Sequence, residues 1–269
     1  MKSGYAPADG TSLYYEEVGA GSPVVLLHPG QGGCVLWDRQ FGSFAREYRV
    51  VRYDARGFGR SERPDAPFSP YEDLRAVLDG LDIQQAALIG LSLGGLTAID
   101  FAIAYPQRLR ALVLVNSGLS GYQYQHLGDY IARLRDASAR EDLDAWIEVQ
   151  LEMWFDGPTR KPEEVDRAAR EEVKRILVEQ VTRNRKRGHG PQQQDLGAVD
   201  RLSEIRAPTL VVESALDAPD IHAIASLLEG GISGARRVVI ENAAHLVNVE
   251  RPDAFAAAVL PFLRETSSA

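Results

Sequence analysis

The segment Gly90-Leu91-Ser92-Leu93-Gly94-Gly95 holds the side chain best suited to covalent chemistry. It has the form G-x-S-x-G-G and lies between a buried-strand pattern at 86–89 and a helical pattern at 96–104. A serine on a sharp strand-to-helix turn is held in a strained conformation, with its hydroxyl exposed at the strand end as a nucleophile. The flanking glycines permit the turn and let strand and helix approach closely. The next amide, that of Leu93, falls at the helix N-terminus, where partial positive charge favours an anion. A Gly-Ser linker turn is the bland alternative, and the strand and helix on either side weigh against it. Cys34 is the only thiol; with no base near it in sequence, it reads as a packed side chain.

Short apolar or β-branched runs recur at 24–27, 49–53, 86–89, 112–115, 209–212 and 237–240, each ending in polar or Gly-rich sequence. Helical patterns at 74–81, 96–104 and 252–263 alternate with them, so the pattern predicts an α/β fold with a mostly parallel sheet and helices on both faces. In such a sheet the strand ends share one edge, where ligands bind. Asp9-Gly10 before the run at 13–18 predicts a tight hairpin, and hence antiparallel opening strands. The alternation breaks after Asn116, and the chain up to Thr209 reads as helical, with interruptions at Gly157-Pro158 and Gly188-His189-Gly190-Pro191. The expected organisation is a core of residues 1–118 and 205–269, with residues 119–204 forming a helical cap inserted after the sixth strand. Trp146, Val149, Met153 and Trp154 recur at spacings that give one apolar helix face, which either packs the cap on itself or lines a pocket.

Composition sets outer limits. The 269 residues are 45% hydrophobic and 25% charged, the balance of a globular protein large enough to bury a core without staples. A single cysteine excludes a disulfide scaffold and a cysteine-ligated structural zinc. The net charge of −8 is contrary to a phosphate-neutralising nucleic-acid binder. The basic group Arg183, Arg185, Lys186 and Arg187 ends at Gly188 and reads as a solvated helix C-terminus. No apolar leader opens the chain and no run of about 18 apolar residues occurs, so a cytoplasmic protein with no membrane association is expected.

These motifs together resemble the α/β-hydrolase superfamily. The resemblance rests on the Asp9-Gly10 hairpin, His28-Pro29-Gly30, and the D-x-R-G-x-G-x-S-like run from Asp54 to Ser61. It rests further on Gly90 to Gly95 and on His245 followed by Glu250-Arg251-Pro252. It implies the chain order nucleophile, acid, histidine. Of five histidines, His28 precedes Ser92, His126 and His189 fall in the insertion, and His222 sits in a helical stretch. His245 alone combines a late position, a strand end and a loop, and it is the expected general base. The orienting acid is expected beyond the strand at 209–212, where Glu213, Asp217 and Asp220 are candidates. Asp217 is preferred, in a segment resembling G-x-x-D with Ser214 in place of glycine. Asp220 reads as a helix cap. Ala244 departs from the glycine many relatives carry, and it would be strained if its φ were positive.

The resemblance also implies an oxyanion hole made by the amides of Leu93 and of the loop after the third strand. Pro29 has no N–H, so Gly30 is the expected second donor and Gln31 the less favoured one. Gln31, Trp37, Trp146, Met153 and Trp154 are candidate substrate contacts, although Trp37 could equally fill core. The implied activity is that of a small capped serine hydrolase, similar to enol-lactonase-like enzymes and carboxylesterases, cleaving a small ester or lactone through an acyl-enzyme on Ser92. It implies a small-molecule substrate and requires no metal or organic cofactor. Carbon–carbon bond hydrolysis or thioester hydrolysis would use the same residues. A non-hydrolytic receptor on this fold is the alternative from another class.

Overall fold

The computed structural model describes residues 1–62, 66–185 and 193–267. Among the described residues, eight strands form one sheet: β1 (Lys2–Ala8), β2 (Thr11–Val18), β3 (Pro23–Leu27), β4 (Arg49–Tyr53), β5 (Ala86–Leu91), β6 (Leu109–Val115), β7 (Thr209–Ser214) and β8 (Arg236–Ile240). Their order is β1-β2-β4-β3-β5-β6-β7-β8. β1 pairs antiparallel with β2, and β2 with β4; every later pair is parallel. The opening hairpin is as the sequence predicts. Ala8 faces Thr11, and Gly10 turns the chain at φ +68°. Strands β5, β6 and β7 run beyond the apolar patterns that announced them, because parallel partners continue to satisfy their backbone.

Alternate strand residues feed opposite faces. Val25, Leu27, Val51, Leu88, Leu112 and Val211 enter one apolar layer. Val24, Leu26, Val50, Ile89, Val113 and Val212 enter the other. The two-residue repeat of a strand dictates this division, and a sheet buried on both faces needs helices on both. α2 (Pro70–Gly80), α3 (Leu93–Ala104) and α7 (Pro219–Gly231) cover the first layer. α1 (Asp38–Phe44), α8 (Val247–Glu250) and α9 (Pro252–Ser267) cover the second. α2 begins four residues before its apolar periodicity does, because Pro70 fits the first helical position.

Between β6 and β7 the chain forms α4 (Gly128–Ala139), α5 (Leu143–Leu151) and α6 (Arg167–Arg185). Asp142 caps α5 by accepting from the Ala145 N–H at 3.0 Å. After α5 the backbone widens into one π-helical turn, Glu152–Asp156, which Gly157 ends at φ +77°. This turn corrects the expected single apolar face. Trp146 packs on the second layer, whereas Met153 and Trp154 pack on the first. A π turn carries more than 3.6 residues, so it rotates its own side chains out of line with those of the preceding helix. Lys186, Arg187 and the Gly188–Pro191 interruption lie outside the described residues.

Candidate active site

Ser92 stands between β5 and α3 with φ +53° and ψ −113°, a region that only an over-determined site imposes on a non-glycine residue. Its backbone is tied on both sides. The Ser92 N–H donates to the Val115 carbonyl at 3.0 Å, and the Gly118 N–H donates to the Ser92 carbonyl at 3.0 Å. The surrounding glycines are steric necessities. A Cβ on Gly90 would lie 2.4 Å from the Gly94 carbonyl oxygen, one on Gly94 would lie 2.2 Å from that of Leu27, and one on Gly95 would lie 2.2 Å from Ser117 Oγ. Strand, turn and helix therefore lock together only without side chains at these positions.

His245 follows β8 by a short loop and is fully buried. Its Nδ1 lies 2.7 Å from Asp217 Oδ2, and Asp217 is equally withdrawn from solvent. A carboxylate oxygen accepts, so this pairing places Nδ1 as the donor and turns Nε2 to the opposite side of the ring. Nε2 is buried without a hydrogen-bond partner among the described residues. The other Asp217 oxygen accepts from the Ala218 N–H at 2.7 Å, which fixes the carboxylate plane. The loops carrying the two residues are joined, Ala215 N–H to Ile240 carbonyl and Leu216 N–H to Ala243 carbonyl, each at 3.0 Å.

The other acid candidates are otherwise engaged. Glu213 pairs with Arg237 and with His222 Nδ1. Asp220 does not cap α7, whose cap position is Ala218. It accepts instead from the N–H groups of Gln125 and His126 at 3.0 and 2.8 Å, and from Tyr122 Oη at 3.2 Å. Burial opposes its ionisation, yet these donors hold its pKa below the ordinary aspartate value. Asp220 thus fastens the segment that leads into α4.

Gly30 and Leu93 come from adjoining segments: a Cβ built on Gly30 would lie 4.0 Å from Leu93 Cδ2. His28 supports that loop, accepting the Ala55 N–H on Nε2 at 3.0 Å with Nδ1 2.8 Å from the Pro29 carbonyl. Burial, outweighing the pull of Asp54, holds its imidazole pKa below the usual range. Asp54 closes the same region by accepting from the N–H groups of Cys34 and Arg60 at 2.6 and 2.8 Å. A Cβ on Gly33 or Gly59 would collide with its carboxylate. The run from Asp54 to Ser61 is therefore a brace for the loop.

The candidate contact residues divide. Trp154 lies against the imidazole of His245, with ring centroids 4.4 Å apart and planes at 43°. Met153 is buried in the layer that includes Leu119, Leu127 and Ala218. Gln31 is buried with Oε1 unpartnered among the described residues. Trp37 is a fully buried side chain of the second apolar layer, its ring centroid 5.9 Å from that of Phe255. Trp146 likewise packs on the second apolar layer. Ala244 carries no positive φ, so alanine there is unstrained. Ser214, in the place of a glycine, binds the side-chain amide of Asn116 through its Oγ and its N–H.

Asn116 is a site residue that pattern reasoning passed over. It sits beyond the end of β6 at φ +41°, almost wholly buried. Its Nδ2 donates to Ser214 Oγ at 2.7 Å and to the carbonyls of His245 and Ala244 at 2.9 and 3.3 Å. Its position as the first polar residue after a buried parallel strand was the available signal. Among the described residues, no three His, Cys, Asp or Glu side chains gather as metal ligands, and no helix is long and apolar enough to cross a membrane.

A parallel sheet reached through an antiparallel hairpin, with a strained serine after β5, an acid after β7 and a histidine after β8, defines a hydrolase class. A profile of the alpha/beta hydrolase family matches residues 24–258, and the chain belongs to that family. It is an enzyme of the hydrolase class. It is 29% identical to a protein of Azorhizobium caulinodans provisionally named a carbamate hydrolase, over 97% of this chain and 98% of that one. It is 31% identical to the 2-hydroxy-6-oxononadienedioate/2-hydroxy-6-oxononatrienedioate hydrolase of Burkholderia vietnamiensis, over 95% and 93%. The enol-lactonase structure from Burkholderia xenovorans LB400 superposes with a TM-score of 0.79 at 27% identity, covering 97% of this chain and all of that one.

Proposed function

We propose that this hydrolase cleaves a small, uncharged carboxylic ester or lactone through an acyl-enzyme on Ser92. The observation that carries the reading is the buried 2.7 Å bond between His245 Nδ1 and Asp217 Oδ2, which leaves Nε2 as a free base. In this scheme Ser92 Oγ attacks the carbonyl carbon while His245 Nε2 takes its proton. Asp217 stabilises the imidazolium and holds the tautomer. The N–H groups of Leu93 and Gly30 receive the oxyanion, each worth about 3 kcal/mol in such sites. His245 returns the proton to the leaving alkoxide. Water then enters by the same base and releases the acid. The chemistry needs no metal or organic cofactor.

The described part of the 119–204 insertion acts as a cap over this centre, with Trp154 and Met153 supplying apolar contact and Gln31 a polar one. An uncharged substrate is preferred because arginines of the insertion are already paired. Arg160 pairs with Glu250, and Arg170 pairs with Asp156 and Glu148, so neither is free to hold a substrate carboxylate. The enol-lactonase likeness supports the same class. A second reading, hydrolysis of the carbon–carbon bond beside a ketone, is favoured by the 31%-identical relative named for 6-oxo dienedioates.

The test is a substrate panel of aryl and alkyl esters, simple and enol lactones, and 6-oxo dienoates. The highest kcat/KM is expected on an uncharged ester or lactone, with no turnover by Ser92→Ala. Highest kcat/KM on the dienoates would overturn the substrate class in favour of the second reading.

A further inference from the structure

The Glu152–Asp156 turn and the loop before His245 meet at a buried ion pair that the chemistry above does not use. Arg160 Nη1 lies 2.8 Å from Glu250 Oε2, with side-chain exposures of 13% and 6%. The other Glu250 oxygen accepts the Ala244 N–H at 2.8 Å, the amide immediately before His245. On its far side the same guanidinium donates through Nε to the Asp156 carbonyl at 2.7 Å and through Nη2 to the Phe155 carbonyl at 2.9 Å. Those carbonyls close the turn whose Trp154 ring lies on the His245 imidazole.

Backbone contact runs in parallel with the ion pair. A Cβ on Gly157 would lie 2.5 Å from the Leu216 carbonyl oxygen and 2.9 Å from Ala244 Cβ. The insertion therefore touches the loop of Asp217 and the loop of His245 at one point. Both the backbone preceding the imidazole and the ring on its face are referenced to one guanidinium. Burial raises the pKa of Glu250, and Arg160 opposes that rise, so the carboxylate depends on its partner. A planar fork presents its donors from three separate, fixed nitrogens, Nε to Asp156, Nη2 to Phe155 and Nη1 to Glu250, a spread that the single nitrogen of an ammonium does not reproduce.

We propose that Arg160, acting through Glu250 and the turn, is a positioning residue that clamps the insertion to the His245 loop and sets the imidazole's working position. This rests on the Ser92-Asp217-His245 reading. Arg160 touches no reacting atom; its effect is on the competence of His245 and not on substrate affinity.

The test measures three quantities: the second-order rate of Ser92 phosphonylation by a small fluorophosphonate, and kcat and KM on a small ester. It compares wild type, Arg160→Lys, and the double variant Arg160→Met/Glu250→Gln. The double variant removes the clamp without leaving a buried charge, and the carboxamide oxygen introduced by Glu250→Gln can still accept the Ala244 N–H. The double variant is expected to lose about tenfold or more in both phosphonylation rate and kcat, with KM nearly unchanged. Arg160→Lys is expected to recover only part of that loss. A folded double variant that reacts at the wild-type rate, or that changes KM alone, overturns the proposal. Should the double variant fail to fold, full wild-type rates in Arg160→Lys overturn it. Wild-type protein labelled elsewhere than Ser92 would refute the underlying triad, an outcome distinct from failure of the clamp.

Discussion

The indole of Trp154 rests on the imidazole of His245, ring centroids 4.4 Å apart, so a side chain from the insertion forms one wall of the base's surroundings. Aromatic contacts of this kind are worth about 0.5–1.5 kcal/mol beyond burial, enough to bias a ring's orientation. Trp154→Ala is expected to lower kcat about tenfold with little change in the thermal midpoint, and Trp154→Phe to keep most of the activity. Equal kcat in Trp154→Ala and wild type would remove the indole from the account.

Asn116 braces both loops of the site from the end of β6. Asn116→Ala removes the donor that Nδ2 gives to the His245 carbonyl and the acceptor that Oδ1 gives to Ser214 N–H. Loss of such buried partners costs about 1–3 kcal/mol each, so the urea midpoint should fall clearly and kcat with it. Unchanged stability in this variant would mean that the loops do not depend on the amide.

Gly94 faces β3 so closely that a methyl group would lie 2.2 Å from the Leu27 carbonyl oxygen. Backbone cannot yield as a flexible side chain can. Gly94→Ala should therefore destabilise by about 1–3 kcal/mol and displace the start of α3, measured as a lower urea midpoint and loss of hydrolase activity. Wild-type values for both would show that the elbow tolerates a wider gap.

The fold was legible because strand ends carry polar residues and strand interiors are uniformly apolar, as at Val24 to Leu27 and Leu112 to Val115. The strained turn at Ser92 was legible from its motif, and the place of His245 in the loop after a strand was legible from the strand end. Asp220 was misread because a carboxylate in the first turn of a helix looks like a cap, while its true partners, the amides of Gln125 and His126, lie far away in sequence. Trp146 and Trp154 looked equivalent because helical spacing holds only while the helix keeps 3.6 residues per turn, and the π turn breaks it. The Arg160–Glu250 pair was invisible for a simpler reason: charge patterning along one segment carries no information about a partner on another.

Asp220 also makes a pH prediction. Its folded pKa lies below the ordinary aspartate value of 3.8, so ionised Asp220 contributes stability above that pH. The contribution is lost as pH falls from about 3.8 through the lower folded value. Asp220→Asn should be less stable than wild type at neutral pH, and the gap should narrow as acid is added through that window. Chemical denaturation at a series of pH values measures it, and a gap independent of pH would contradict the assignment.

In the proposed mechanism Ser92 is the nucleophile and His245 its base. Fluorophosphonate labelling followed by peptide mass mapping tests this assignment. One adduct on Ser92 is predicted, absent in Ser92→Ala and strongly slowed in His245→Ala and Asp217→Asn. An adduct on another residue, or full esterase activity in Ser92→Ala, would contradict it.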